Sequence, residues 1–134
     1  MRAIPPSDVL FAVMGAPHAS DMTTSVLRLT GVLLERSATV QVWTCGYATM
    51  LTHSAHDEHK PRNLIDWSRE HPSTSTLVRN LLRAHPDRLH WYACRFCSEE
   101  RGLAGHIPEV RVRPPLRFAD HVKASRKTIF IGRI

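Results

Sequence analysis

Apolar and polar positions follow two rhythms along this chain. Short unbroken apolar runs alternate with longer stretches in which apolar residues return every three or four positions. "VLFAVMG" (Val9–Gly15) is such a run and ends in Gly-Ala-Pro, which predicts a buried strand and a turn. "SDMTTSVLRLTGVLLERSA" then places Met22, Val26, Leu29 and Leu33 at i, i+4, i+7 and i+11, one helical stripe with Ser20 or Asp21 as its cap. "TVQVWTC" (Thr39–Cys45) is β-branched and reads as a second buried strand, with a short helical piece around Tyr47–Leu51 after it. From His53 to Ser73 the sequence turns polar and loses its period, which predicts an excursion loop with one helical turn around Asn63–Arg69.

Order returns with Ser75 as a cap and Leu77, Leu81 and Leu82 on a helix face. "RLHWYAC" (Arg88–Cys94) is a third strand. "EVRVR" (Glu109–Arg113) alternates with period two, the mark of an edge or half-exposed strand. Pro114-Pro115 opens a helix through Leu116, Ala119 and Val122, and "KTIFIGRI" (Lys127–Ile134) is the closing strand. Strands and helices in alternation mean a parallel sheet covered on both faces and joined by right-handed crossovers. The fold class expected is therefore α/β, a single five-stranded, mostly parallel, flavodoxin-like sheet of order 2-1-3-4-5. At 134 residues the chain fits one domain, 1–134, with the His-rich excursion at about 53–73.

Composition narrows the picture. Hydrophobic residues make up 43% and charged residues 22%, which argues against disorder. No apolar run is long enough to cross a bilayer, and Pro5, Pro6 and Asp8 make "VLFAVMGA" a poor signal core, so a cytoplasmic protein is expected. The formal charge of +6 suits an acidic partner surface or nucleic acid. The basic residues are spread, however, and without a nucleic-acid-binding motif they read as a solvated face, densest over Arg111–Lys127.

Three cysteines, Cys45, Cys94 and Cys97, form an odd set in a chain that needs no disulfides, which favours reactive thiols. Cys94 ends the third strand, and the residues after it start a short helix that stops at Gly102. In the order 2-1-3-4-5 Cys94 lies beside the loop after the first strand, at the switch point where ligands bind. A thiol at a helix start meets unpaired amides, which can lower its pKa from about 8.5 to roughly 3.5–7.5. Cys94 is thus the candidate nucleophile, with Arg101 a candidate thiolate stabiliser and His18, in the adjoining loop, a candidate base or stabilising cation, or simply a turn residue. The bland alternative is that Cys94 and Cys97 are small buried hydrophobes.

As metal ligands Cys94 and Cys97 make half a site, which Cys45 and His18 would have to complete; no metal and no cofactor is expected. The C-x-x-C spacing fits a redox pair, although thioredoxin's surrounding tryptophan, glycine and proline are missing. His53, His56 and His59 recur every third residue and read as a solvated loop rather than a metal site.

"YACRFCSEERGL" resembles the DsrE family, which includes the TusD-type sulfur-relay subunits and YchN-like proteins. There a strand ends in cysteine and an Arg-Gly pair follows seven and eight residues later, as Arg101-Gly102 follow Cys94. "VLFAVMGAPHASDMTTSVLRLTGVLLERSATVQVW" is similar to the family's first strand, long helix and second strand, and "FADHVKASRKTIFIGRI" to its last helix and strand. The resemblance implies a flavodoxin-like sheet and a sulfur carrier or sulfurtransferase that accepts sulfane sulfur as a persulfide on Cys94. It also implies donor and acceptor protein partners and a homo- or hetero-oligomer, trimeric or hexameric. Cys97 matches a cysteine found only in some relatives, and is either a resolving thiol or a packed helix residue. The residues leave two alternatives open: a thiol-disulfide redox protein or sensor using Cys94 and Cys97, and a non-catalytic interaction subunit.

Overall fold

The computed structural model describes residues 3–55, 71–103 and 105–132, with only the backbone described at 23 and 24. The elements are β1 (Ser7–Met14), α1 (Asp21–Glu35), β2 (Val40–Thr44), a 3-10 segment (Gly46–Thr52), α2 (Thr74–Ala84), β3 (Leu89–Cys94), α3 (Arg95–Glu100), β4 (Arg111–Arg113), a 3-10 turn (Pro115–Arg117), α4 (Phe118–Lys123) and β5 (Ser125–Gly132). All five strands are parallel, as the alternation of elements predicts. The expected turn at Asn63–Arg69, with His56 and His59, lies outside the described residues.

The strand order is β4-β3-β2-β1-β5, which corrects the expected 2-1-3-4-5. Burial explains it. Every residue of β2 is buried, so β2 suits an inner position, whereas the other order would leave it on an edge. The polar three-residue β4 and the half-exposed β5 occupy the edges instead.

This order fixes the two faces. The chain steps from β1 through β4 in one direction and returns to β5 in the other. Right-handed crossovers then put α4 on the face opposite α1 and α2. Packing agrees: Val26 and Leu34 of α1 and Val78 and Leu82 of α2 join Val9, Phe11, Val13, Val40, Val42, Leu89 and Trp91 in one core. On the other face Phe118 and Val122 of α4 pack with Leu10, Trp43, Tyr92 and Cys94.

Two local expectations shift. The buried row of α1 is Val26, Thr30 and Leu34, while Met22 and Leu29 of the predicted stripe are exposed. Ser73, not Ser75, caps α2 by accepting from the Thr76 amide at 3.2 Å. Ser75 is buried and donates to the carbonyls of Leu51 and His53, tying α2 to the 3-10 segment. At Gly132, with φ 133°, a Cβ would overlap the Met14 carbonyl oxygen, so glycine lets β5 close against β1.

Candidate functional site

Side chains on a strand alternate between faces, so Trp43 and Cys45 of the β2 end project with Tyr92 and Cys94 of β3 toward the α4 side. Because β2 and β3 are neighbours, Cys45 and Cys94 meet at the same carboxyl rim. The first turn of α3 then carries Cys97 back over Cys94. The three Sγ atoms lie within 4.8 Å of one another. All three cysteines are free; Cys94 is buried, and Cys45 and Cys97 are partly exposed.

Sequence reasoning saw the C-x-x-C but left Cys45 one strand away. The correct strand order, with β2 beside β3, brings it in. The same order removes His18. The loop after β1 is two strands from Cys94, and His18 is an exposed turn residue with φ 67°. Arg101 stays close, but its Nη1 donates to the Cys97 carbonyl at 3.5 Å, pairs with Glu100 at 3.4 Å, and its guanidinium lies 4.5 Å from the Tyr47 ring centroid. Gly102 has φ 69° and ends α3 in the left-handed turn expected of it.

The electrostatics also depart from expectation. Burial pushes the Cys94 thiol up, and the proximity of Cys97 adds to this. The backbone amides of Cys97 and Phe96 pull the other way, as a helix start should, but burial wins. Burial likewise raises Cys45 to about 11, although the Trp43 indole N–H donates to its sulfur at 3.0 Å and opposes the rise. The resting site therefore holds neutral thiols at pH 7 for these two cysteines.

Behind the thiols runs a polar chain that sequence reading missed. The Ser98 hydroxyl donates to the Cys94 carbonyl at 2.9 Å. Having spent its proton, it accepts from His106 Nε2 at 2.9 Å. His106 Nδ1 is then the acceptor for Thr52 Oγ1 at 2.9 Å. This fixes a neutral Nε2–H imidazole, consistent with burial holding His106 below the usual histidine range. The chain clamps α3 and the Thr52 segment to the end of β3. Its only local cue was Ser98, four residues after Cys94, where a helical hydroxyl reaches back to a carbonyl.

Beside the thiols, on the same face, Arg95, Arg111, Arg113 and Arg117 line a cavity of about 390 Å³ with His90 and Tyr92. The basic stretch predicted as a solvated face therefore gathers in part around a concavity. Arg117 is paired with Asp120 at 3.1 Å. Deeper on this face His121 is buried, its Nδ1–H donating to Gln41 Oε1 at 2.8 Å. Burial and the nearby Arg113 and Arg117 hold it down at about 4, so it is neutral at pH 7.

Among the described residues no helix is long and apolar enough to cross a membrane. No family model matches the sequence, and no curated protein matches it. The fold does match a solved structure, that of the ychN protein from E. coli. Its TM-score is 0.72 at 17% sequence identity, covering 92% of this chain and 98% of that one. The chain thus has the fold implied by the sequence resemblance to the DsrE family, in which YchN-like proteins fall.

Proposed function

We propose that this chain is a sulfur carrier that accepts sulfane sulfur as a persulfide on Cys94 and passes it to a partner protein. The observation that carries the reading is the convergence of three thiols within 4.8 Å at the carboxyl rim of the sheet. The fold shared with the ychN protein supports it. In the loading step the Cys94 thiol gives its proton to solvent and the thiolate attacks the outer sulfur of a donor persulfide. A new S–S bond forms on Cys94, the donor's S–S bond breaks, and the donor leaves as a thiolate. Sulfane sulfur keeps its oxidation state, and the step needs no cofactor.

Burial has two consequences for this chemistry. It keeps Cys94 protonated until a donor arrives, and afterwards it shields the persulfide from reductants in solution. The amides of Phe96 and Cys97 favour the thiolate at the moment of attack. Cys97 is the more exposed thiol of the C-x-x-C and sits where it can attack Cys94 and expel hydrogen sulfide, leaving a disulfide for a dithiol reductant to reset. Partner contact is supported by exposed apolar side chains, Ile129 and Phe130 on the edge strand β5 and Leu29 and Val32 on α1, which suit an oligomer.

A second reading, a thiol-disulfide redox protein using Cys94 and Cys97, is favoured by the same proximity. There two thiols give two electrons and two protons to a partner disulfide, which leaves as a dithiol. The arginine-lined cavity favours a third, an interaction subunit for an acidic partner.

Intact mass without reductant, after incubation with a cysteine desulfurase and cysteine, separates the carrier from the redox pair. The expected result is a gain of one or more sulfur atoms, reversed by reductant and lost in Cys94→Ser. A loss of two hydrogens with no sulfur gained would replace the carrier reading with the redox pair. Sulfur uptake that persists in Cys94→Ser would overturn the assignment of the nucleophile.

A further inference from the structure

We infer that Cys45, Cys94 and Cys97 form a three-thiolate site for a soft, three-coordinate metal ion, with Cu(I) as the ion of choice. This goes beyond the sulfur-carrier reading and does not rest on it.

The argument begins with the donors. Three sulfurs arranged in a plane about 2.3 Å from a central ion stand roughly 4.0 Å apart. The three Sγ atoms here are within 4.8 Å of one another with no ion between them, so small side-chain rotations bring them to that spacing. Cys94 ends β3, Cys97 sits on the first turn of α3, and Cys45 directly follows β2 with its amide held by the Val13 carbonyl at 2.8 Å, so each ligand is fixed by the backbone around it. Thiolates select Cu(I) and zinc over harder ions.

Coordination number then separates those two. Zinc in closed sites is tetrahedral and wants a fourth ligand. Among the described residues no histidine, carboxylate or further cysteine joins the three sulfurs. The deepest of the three, Cys94, is buried in the apolar cluster of Leu10, Trp43 and Tyr92, while Cys45 and Cys97 reach partway to solvent, the side from which an ion would enter. Three sulfurs with no fourth protein ligand among the described residues suit an ion content with three.

The outer shell fits as well. The Trp43 indole N–H already donates to the Cys45 sulfur at 3.0 Å, a bond that strengthens when that sulfur becomes a metal-bound thiolate. Three thiolates with Cu(I) carry a charge of two minus. Arg101, which bonds the Cys97 carbonyl, supplies a neighbouring positive charge. On binding, each thiol loses its proton to solvent, and neither copper nor sulfur changes oxidation state.

The test is an anaerobic titration of the reduced full chain with Cu(I) against a chromophoric Cu(I) chelator, with no sulfur donor present, followed by X-ray absorption at the copper edge. One Cu(I) per chain with three sulfur neighbours and no nitrogen or oxygen is expected. Losing even an outer-shell partner typically costs 10–100-fold, so Cys45→Ser and Cys97→Ser should each weaken binding by about 100-fold or more. These two positions are partly exposed, so their substitution spares the fold better than that of the buried Cys94, and circular dichroism verifies that both variants are folded. Undiminished affinity in Cys45→Ser would reduce the site to the C-x-x-C pair and overturn the inference. So would zinc displacing Cu(I) at equal concentration, or a shell containing nitrogen or oxygen. Because no donor is present, failure here leaves the persulfide experiment standing, and failure of that experiment leaves this one standing.

Discussion

The two faces of the sheet are made from alternate residues of the same strands, yet they are built to different rules. Under α1 and α2 the strands present Val9, Phe11, Val13, Val40, Val42, Leu89 and Trp91, an apolar surface with two helices to cover it. Under α4 they present Leu10, Gln41, Trp43, Tyr92, Cys45 and Cys94, and the cover is one six-residue helix carrying a buried histidine. The first face is where apolar burial accumulates. The second mixes buried hydrogen bonds and thiols with arginines toward its rim. A parallel sheet with helices on both sides is commonly apolar throughout. Here one side departs from that habit, and the departure ends at the three sulfurs.

Substitutions can break this division. Trp91 is 1% exposed on the apolar face. Trp91→Ala should cost about 3–5 kcal/mol in urea unfolding while leaving the alkylation rates of the native thiols unchanged. A large change in Cys94 reactivity with little loss of stability would mean that the faces are not separable.

The second prediction concerns pH and the thiol face. His121 is held at about 4 in the fold against 6.5 in an unfolded chain, so the unfolded state binds more protons between those values. Stability is therefore full above pH 6.5 and falls as pH drops toward 4, by about 3 kcal/mol for a shift of this size. His90 and His106, also held down by burial, slope the same way. Asp8, lowered by its hydrogen bonds to Thr39, loses its contribution only below the ordinary carboxylate range. Urea unfolding from pH 7.5 to 4.5 should show the fall, and His121→Gln should flatten most of it; an unchanged slope would discount His121.

The smallest effect lies at the junction of the two faces. Ser98→Ala removes the hydroxyl between the Cys94 carbonyl and His106 and should cost about 1 kcal/mol. Sulfur loading should slow as α3 loosens, while Thr52 and His106 keep their own bond. A variant with wild-type loading would reduce the chain of hydrogen bonds to a stability element.

Much of this was legible along the chain. The positions of all five strands, the end of α3 at Gly102 and the cysteine at the tip of β3 follow from local pattern. The strand order did not follow, because pairing is a contest between distant segments and a familiar template decided it. Yet the cues were present: Glu109–Arg113 reads as an edge strand, and "TVQVWTC" reads as a buried one. Reading those two against each other would have excluded any order with β2 on an edge, the expected one included. The direction of the Cys94 shift was missed because a helix start is visible in sequence, whereas the depth at which it is buried is not. Ser73 lost out to Ser75 as the expected cap because both fit, and only the hidden partners of Ser75 decide between them.

The bond between β1 and β5 joins residues as far apart as Ser7 and Ser125, 118 positions along the chain. A ribosome adding about 5–20 residues each second makes β1 roughly 6–24 s before its outer neighbour exists. Through that interval β1 has one bare edge of amides and carbonyls on an otherwise apolar strand, the kind of template that recruits other chains. The three thiols, just past β2, at the end of β3 and on α3, all precede β5 along the chain. Until β5 is made, that edge of β1 is open to pairing with other chains.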